Sequence, residues 1–185
     1  MIDEFLQDAR EHMDKSVEAT RAKFQSIRTG RASPALLDRI TVDYYGTSTP
    51  LRQLSTISAP EARMLTVQPY DKSSIKAIER AIMESDLGLT PNNDGQLIRL
   101  VLPELTEERR KQLVKVVRSL TEEGKVALRN IRRDVMHDLK ELRDAGEAGA
   151  DDEHRAEEAL QKLTDEKVKE LDALLKGKEA EILEV

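Results

Sequence analysis

The chain contains no cysteine and no tryptophan, and its aromatic residues are two phenylalanines and three tyrosines. Without cysteine there is no disulfide framework, no thiolate metal site and no cysteine nucleophile, which fits a reducing cytoplasm. Phe5, Phe24, Tyr44, Tyr45 and Tyr70 are too few and too scattered for an aromatic platform on which single-stranded bases would stack. No stretch approaches the ~20 apolar residues that a membrane-spanning helix needs. The opening residues Ile2, Leu6, Ala9, Met13, Val17, Thr20, Phe24 and Ile27 form an amphipathic stripe interleaved with Asp3, Glu4, Asp8 and Glu11. A secretory signal, which begins basic and continues apolar, is therefore not expected.

Catalytic constellations are also missing. His12, His137 and His154 stand on separate segments with no second histidine at a ligand spacing. Gly124-Lys125 and Gly177-Lys178 lack both the earlier glycine and the following hydroxyl of a phosphate-cradling loop. The 36 Asp and Glu residues are spread over helix surfaces and define no acid and base pair. An enzyme is the weakest reading, and no cofactor or metal is expected.

What the chain does have is helical periodicity at both ends and a different pattern between. Its 185 residues, 38% of them hydrophobic, allow one or two compact domains. The first apolar stripe ends at Gly30 and Pro34. From Ala35 to Pro103 the three-to-four step disappears. Residues 40–45, rich in β-branched and aromatic side chains, predict a strand, followed by a Gly46-Thr47-Ser48-Thr49-Pro50 corner. Ser55–Ala59, Met64–Gln68 and Gln96–Leu102 are further strand candidates, the last after an Asn92-Asn93-Asp94-Gly95 turn. Asp71 caps a helix with Ile75, Ile78, Ala81 and Ile82 on one face, stopping at Leu87-Gly88. The insert reads as a small β/α/β domain over residues 31–105. It is joined to a three-helix bundle, residues 1–30 and 106–185, by two crossings at residues 29–34 and 102–106, where either a hinge or a rigid elbow would fit.

The second helix of that bundle, predicted from Glu107 to Arg143 behind a Thr106 cap, sorts its side chains into three stripes. At ~1.5 Å per residue it would extend ~55 Å. Leu113, Val117, Leu120, Gly124, Leu128, Ile131, Val135, Leu139 and Leu142 make the core face at about 100° per residue. Beside it run Lys111, Lys115, Arg118, Lys125, Arg129, Arg132, Arg133, Lys140 and Arg143, interrupted by Glu122. Glu123, Asp134, Asp138 and Glu141 occupy the opposite flank. Residues 106–143 hold 11 Lys and Arg against 7 Asp and Glu, while residues 144–185 hold 6 against 14. A basic helix thus sits inside a chain of net charge −6. The third stripe, Ala156, Leu160, Leu163, Leu171, Leu174 and Ile182, follows a glycine-containing reversal at 144–153, with the stems of Lys167 and Lys178 covering the seam.

Two readings of the basic stripe compete. It docks on the acidic third segment or merely solvates the surface, or it serves a polyanion. Exposed ion pairs contribute about 0 to 1 kcal/mol each, whereas one buried Leu or Ile contributes about 1.5 to 3. The apolar stripe suffices for the bundle, so the basic one is available to a partner. Arg129, Arg132 and Arg133 are its densest part, and arginine favours bidentate phosphate contacts. A straight basic rod follows the phosphates of a duplex or folded RNA without reading bases. The alternative class is a structural or chaperone-like helical module with the insert as a protein-binding tip.

Several separate stretches, in order, carry a family resemblance. Arg28-Thr29-Gly30-Arg31-Ala32-Ser33-Pro34, Leu36-Leu37-Asp38, Tyr44-Tyr45-Gly46, Asn92-Asn93-Asp94-Gly95, Leu105 to Lys111, and Arg129-Asn130-Ile131-Arg132-Arg133-Asp134 resemble the ribosome recycling factor family across the whole chain. The resemblance implies an α+β, L-shaped molecule, a three-helix bundle with a small β/α/β domain joined at a flexible corner. It implies a cytoplasmic translation factor that acts after termination. With elongation factor G, whose GTP hydrolysis drives the step, such a factor splits the ribosomal subunits and releases messenger and deacylated transfer RNA. The implied partners are the large ribosomal subunit, through ribosomal RNA, and elongation factor G; a monomer is implied, with no part for DNA or a membrane. Carried over by residue, RNA contacts fall on Arg129, Arg132 and Arg133, with Arg110 on the same helix and Arg28 and Arg31 flanking the corner. The implied hinge comprises Thr29, Gly30, Arg31, Ala32, Ser33 and Pro34 with Leu102, Pro103, Glu104 and Leu105. Residues 145–150 depart from the family pattern in their glycines, which bears on the helix ends there.

Overall fold

Apolar side chains at alternating steps of three and four bury one face of α1 (Ile2–Gln25): Ala9, Met13, Val17, Thr20 and Phe24 are inside. Asp3 and Glu4 complement the positive end of its dipole and Lys23 the negative end. The computed structural model describes residues 1–184, which divide into two units, 1–28 with 108–184 and 29–107.

The first unit is a bundle of α1 with two long helices, α4 (Glu107–Asp144) and α5 (Ala150–Glu184). Its central cluster joins Ala9, Met13 and Val17 of α1 to Leu128 of α4 and to Leu160, Leu163 and Leu171 of α5. At about 1.5 to 3 kcal/mol for each large apolar side chain, this burial is the main force holding the helices together. Most of the expected α4 stripe is buried, while Leu120, Ile131 and Val135 are half-buried. Thr121, absent from that expectation, takes a core place because its hydroxyl donates to the Val117 carbonyl at 2.8 Å. Thr164 does the same toward Leu160 on α5, also at 2.8 Å.

Between α4 and α5 the chain reverses over residues 145–149. Gly146, at φ 73, allows the N–H of Glu147 to donate to the Leu142 carbonyl (3.0 Å) while its own N–H donates to Arg143 (2.9 Å). This paired closure satisfies carbonyls that a helix C-terminus otherwise leaves open. The joint is fastened by Arg143, whose Nη1 lies 2.8 Å from Oε2 of the buried Glu153.

The second unit begins with a short turn over Pro34–Leu37, capped by the Ser33 hydroxyl. A hairpin of β1 (Thr41–Tyr44) and β2 (Thr47–Pro50) follows. The expected corner at residues 46–50 is therefore corrected. The turn is Tyr45-Gly46, both with positive φ (49 and 80), and Thr47–Pro50 is the returning strand. A single turn, α2 (Leu51–Leu54), leads into β3 (Ser55–Glu61) and β4 (Met64–Pro69). The helix α3 (Ile75–Glu84) ends before the expected Leu87-Gly88, and its entry is set by Asp71, whose Oδ1 accepts from the Ser73 N–H at 3.0 Å.

Two more strands, β5 (Pro91–Asn93) and β6 (Ile98–Val101), complete an antiparallel sheet in the order β3-β4-β6-β5. Asn92 and Asn93, read from sequence as turn residues, belong to β5, and the turn is made by Asp94 to Leu97. Leu65 and Val67 pair with Leu100 and Ile98 on the covered face, against Ile78 and Ile82 of α3.

A candidate nucleic-acid interface on the bundle

In the bundle, side chains of α5 reach several cations of the basic stripe on α4. Among them, Arg118, Lys125 and Arg143 are held by carboxylates. Arg118 Nε is 2.6 Å from Glu179 Oε1, Lys125 Nζ is 2.7 Å from Asp172 Oδ1, and Arg143 reaches Glu153 and, at 3.4 Å, Asp144. The hydrogen bond that Lys125 donates to Asp172 is the main reason its ammonium is held above its ordinary pKa. For this part of the stripe, docking on the acidic third helix is what the structure shows.

The remaining arginines behave differently. Arg132 Nη1 donates to the Gln161 Oε1 of α5 at 2.6 Å, and Arg133 Nη2 donates to Asn130 Oδ1 at 3.2 Å. Both acceptors are neutral amide carbonyls. Arg129 is exposed, and among the described residues no carboxylate pairs with Arg129, Arg132 or Arg133. Positions 129, 132 and 133, at i, i+3 and i+4, share one face within a single turn. Their guanidinium forks can each address two phosphate oxygens. The arrangement is a compact, unneutralised cationic face on a rigid helix.

The other sequence-predicted residues do not join this cluster. Arg110 is half-buried, its Nε buried without a hydrogen-bond partner, and it lies about 29 Å along α4 from Arg129. Arg28 is an exposed residue at the end of the bundle unit, and Arg31 is exposed in the small unit. Among the residues of the two crossings, Ala32 donates its N–H to the Ala62 carbonyl (2.7 Å), Leu102 donates to Arg63 (2.8 Å), and Glu104 pairs with Arg63 (3.0 Å). These three are fastened to the small unit's body. Thr29 is buried, Gly30 has φ 77, Ser33 caps the turn that Pro34 begins, Pro103 is exposed and Leu105 half-buried.

Gln161 and Asn130 lie outside the sequence-predicted site, and charge pattern alone gives no sign of them. Lys167 also does more than the expected covering of the seam. Its buried ammonium reaches Asp14 of α1 at 2.6 Å and Glu170 at 2.8 Å, and these hydrogen bonds raise its pKa. Among the described residues no group of three or more His, Cys, Asp or Glu could hold a metal ion, and no helix is long and apolar enough to cross a membrane.

The fold is of the α+β class, a long three-helix bundle with an arginine-rich face and a small sheet domain inserted in its chain. The family described as Ribosome recycling factor matches residues 20–183. The chain is 57% identical over 180 residues to the ribosome-recycling factor of Rubrobacter xylanophilus, covering 97% of each chain. It is 56% identical over 185 residues to that of Halalkalibacterium halodurans, covering all of both. A solution structure of the ribosome recycling factor superposes with a TM-score of 0.78 at 41% identity, over 100% of this chain and 98% of that one. A second structure, with models for the T. thermophilus ribosome recycling factor and the E. coli elongation factor G bound to the E. coli post-termination complex, matches at 0.67 and 47% identity, over 99% of each. The chain belongs to the ribosome recycling factor family.

Proposed function

We propose that this chain binds the large subunit of the post-termination ribosome and, together with elongation factor G, splits the subunits so that messenger and deacylated transfer RNA leave. The observation that carries this reading is the face of Arg129, Arg132 and Arg133, three guanidinium groups in one helical turn with no carboxylate against them among the described residues. The bundle, residues 1–30 and 106–185, is the RNA-binding domain. It docks on ribosomal RNA through that face, with Arg110 as a separate contact farther along α4 and Arg28 and Arg31 near the corner. Contacts of this kind draw their affinity from phosphate neutralisation and displaced counterions, without reading sequence.

The inserted domain, residues 31–105, is the part moved by elongation factor G. Residues 29–34 and 102–105 form the hinge, and Gly30, at φ 77, occupies a backbone conformation that other residues rarely adopt. Force applied to the small domain passes to the intersubunit contacts while the bundle stays on the large subunit. The chain contributes no chemistry of its own; GTP is hydrolysed by its partner. It works in the cytoplasm as a monomer, with no role for DNA or a membrane.

Co-sedimentation with separated ribosomal subunits across a salt series tests this reading. Pelleting with the large subunit, with an affinity falling steeply as log salt rises, is the expected result. Salt-independent binding, or none, would instead favour a helical protein-interaction module.

A further inference from the structure

Four cations of α4 differ in what holds them. Arg118, Lys125 and Arg143 face carboxylates, whereas Arg132 faces the side-chain amide of Gln161. The difference matters for any anionic partner. A carboxylate cancels the cation's charge and competes with phosphate. An amide carbonyl accepts one of the five guanidinium N–H groups and leaves the full charge in place.

The orientation of Gln161 is set from behind. Its Nε2 donates to Asp165 Oδ1 at 2.9 Å, one helical turn along α5. A carboxylate only accepts and a guanidinium only donates, so Oε1 must point at Arg132 and Nε2 at Asp165. The relay thus runs from Asp165 through Gln161 to Arg132 Nη1, keeping the negative charge one side chain away. Arg132 is half-buried and its Nε is already out of water, so little of its freedom remains to be lost on binding.

We infer that Gln161 is a positioning residue: it holds the Arg132 guanidinium in place for a ribosomal RNA phosphate while leaving its charge unneutralised. This rests on the RNA-binding reading of the Arg129, Arg132 and Arg133 face. Gln161 is exposed on α5, so replacing it removes no core packing.

The test is binding of the full chain to purified large ribosomal subunits across a salt series, for the parent, Gln161→Glu, Gln161→Ala, Arg132→Ala and the double variant Arg132→Ala/Gln161→Glu. Gln161→Glu sets a carboxylate against Arg132 and is expected to weaken binding about tenfold and to reduce the slope of log affinity against log salt by about one contact's worth. Gln161→Ala keeps the charge but frees the side chain, so a loss of about two- to threefold with an unchanged slope is expected. In the double variant, Gln161→Glu adds nothing to the loss from Arg132→Ala. If Arg132→Ala weakens binding and Gln161→Glu leaves affinity and slope at the parent values, the role of Gln161 is overturned and the RNA reading stands. An undiminished Arg132→Ala overturns Arg132 as an RNA contact, and the role of Gln161 with it. A further loss in the double variant, equal to that of Gln161→Glu alone, overturns action through Arg132.

Discussion

Gly124 of α4 and Thr20 of α1 meet so closely that a Cβ added to the glycine would lie 2.7 Å from the threonine hydroxyl oxygen. The same Cβ would fall 3.1 Å from a Leu171 methyl of α5, so all three helices converge there. Thr20 has little room to yield, being buried and β-branched, with its hydroxyl donating to the Ser16 carbonyl at 3.2 Å. Gly124→Ala gains up to about 1 kcal/mol of helix propensity and meets about 1 to 3 kcal/mol of overpacking. Net destabilisation of about 1 kcal/mol is expected, read as a lower urea midpoint of the helical signal. A stabilised variant would show that the helices separate at this point without cost.

Lys167 ties α5 to α1 through Asp14, but both its carboxylate partners are about half exposed, with side-chain exposures of 50% for Asp14 and 47% for Glu170. Freed of the lysine, they return to water. Lys167→Met keeps the apolar stem and is expected to cost less than about 1 kcal/mol, whereas Lys167→Ala loses stem packing and costs about 1 to 2. The two midpoints, compared in one denaturation series, decide whether packing or charge matters more at this position. Because the folded pKa is raised, the stabilising share of the charge is complete below the ordinary lysine value and is lost as pH climbs through the folded one.

Asp94 closes the turn between β5 and β6. The N–H groups of Leu97 and Gln96, each 3.0 Å from Oδ1, hold its carboxyl at about 2, with Arg99 assisting. A lowered pKa stabilises the fold above the ordinary carboxylate value of 3.8, and that contribution disappears as pH falls toward about 2. Carboxyl chemical shifts should place the Asp94 midpoint well below 3.8, and Asp94→Asn should remove this part of the acid sensitivity of the small unit. A midpoint at the ordinary value would refute the turn geometry.

A reversible disulfide crosslink between the bundle and the small unit is expected to leave large-subunit binding unchanged and to stop subunit splitting until reduced. Full splitting activity in the oxidised protein would contradict a hinge.

The apolar half of this architecture was legible because helical burial repeats locally. Met13, Val17, Leu128 and Leu160 announce their faces by spacing alone. What escaped were features decided by distant partners. Thr47–Pro50 and Pro91–Asn93 are short, polar and proline-containing, and become strands only because Val42 and Leu100 lie opposite them in register. Thr121 and Thr164 look like surface residues until their hydroxyls bond back along their own helices. The Arg129, Arg132 and Arg133 cluster was visible in the charge pattern. Which cations are neutralised was not, because it depends on whether α5 presents Glu179, Asp172 or Gln161 to α4. Helix phase across an interface leaves no trace in either sequence stripe.

Ribosomal RNA binding by the unneutralised arginines, rather than by positive charge at large, is the central claim. The direct measurement is the salt dependence of large-subunit binding for Arg129→Ala/Arg132→Ala/Arg133→Ala beside Arg118→Ala, with thermal unfolding of each. The triple variant is expected to lose at least about thirtyfold in affinity and roughly two to three units of salt slope, with its unfolding midpoint nearly unchanged. Arg118→Ala, whose charge Glu179 already cancels, should bind like the parent. Equal losses from the two variants, or a triple variant that binds normally, would contradict it.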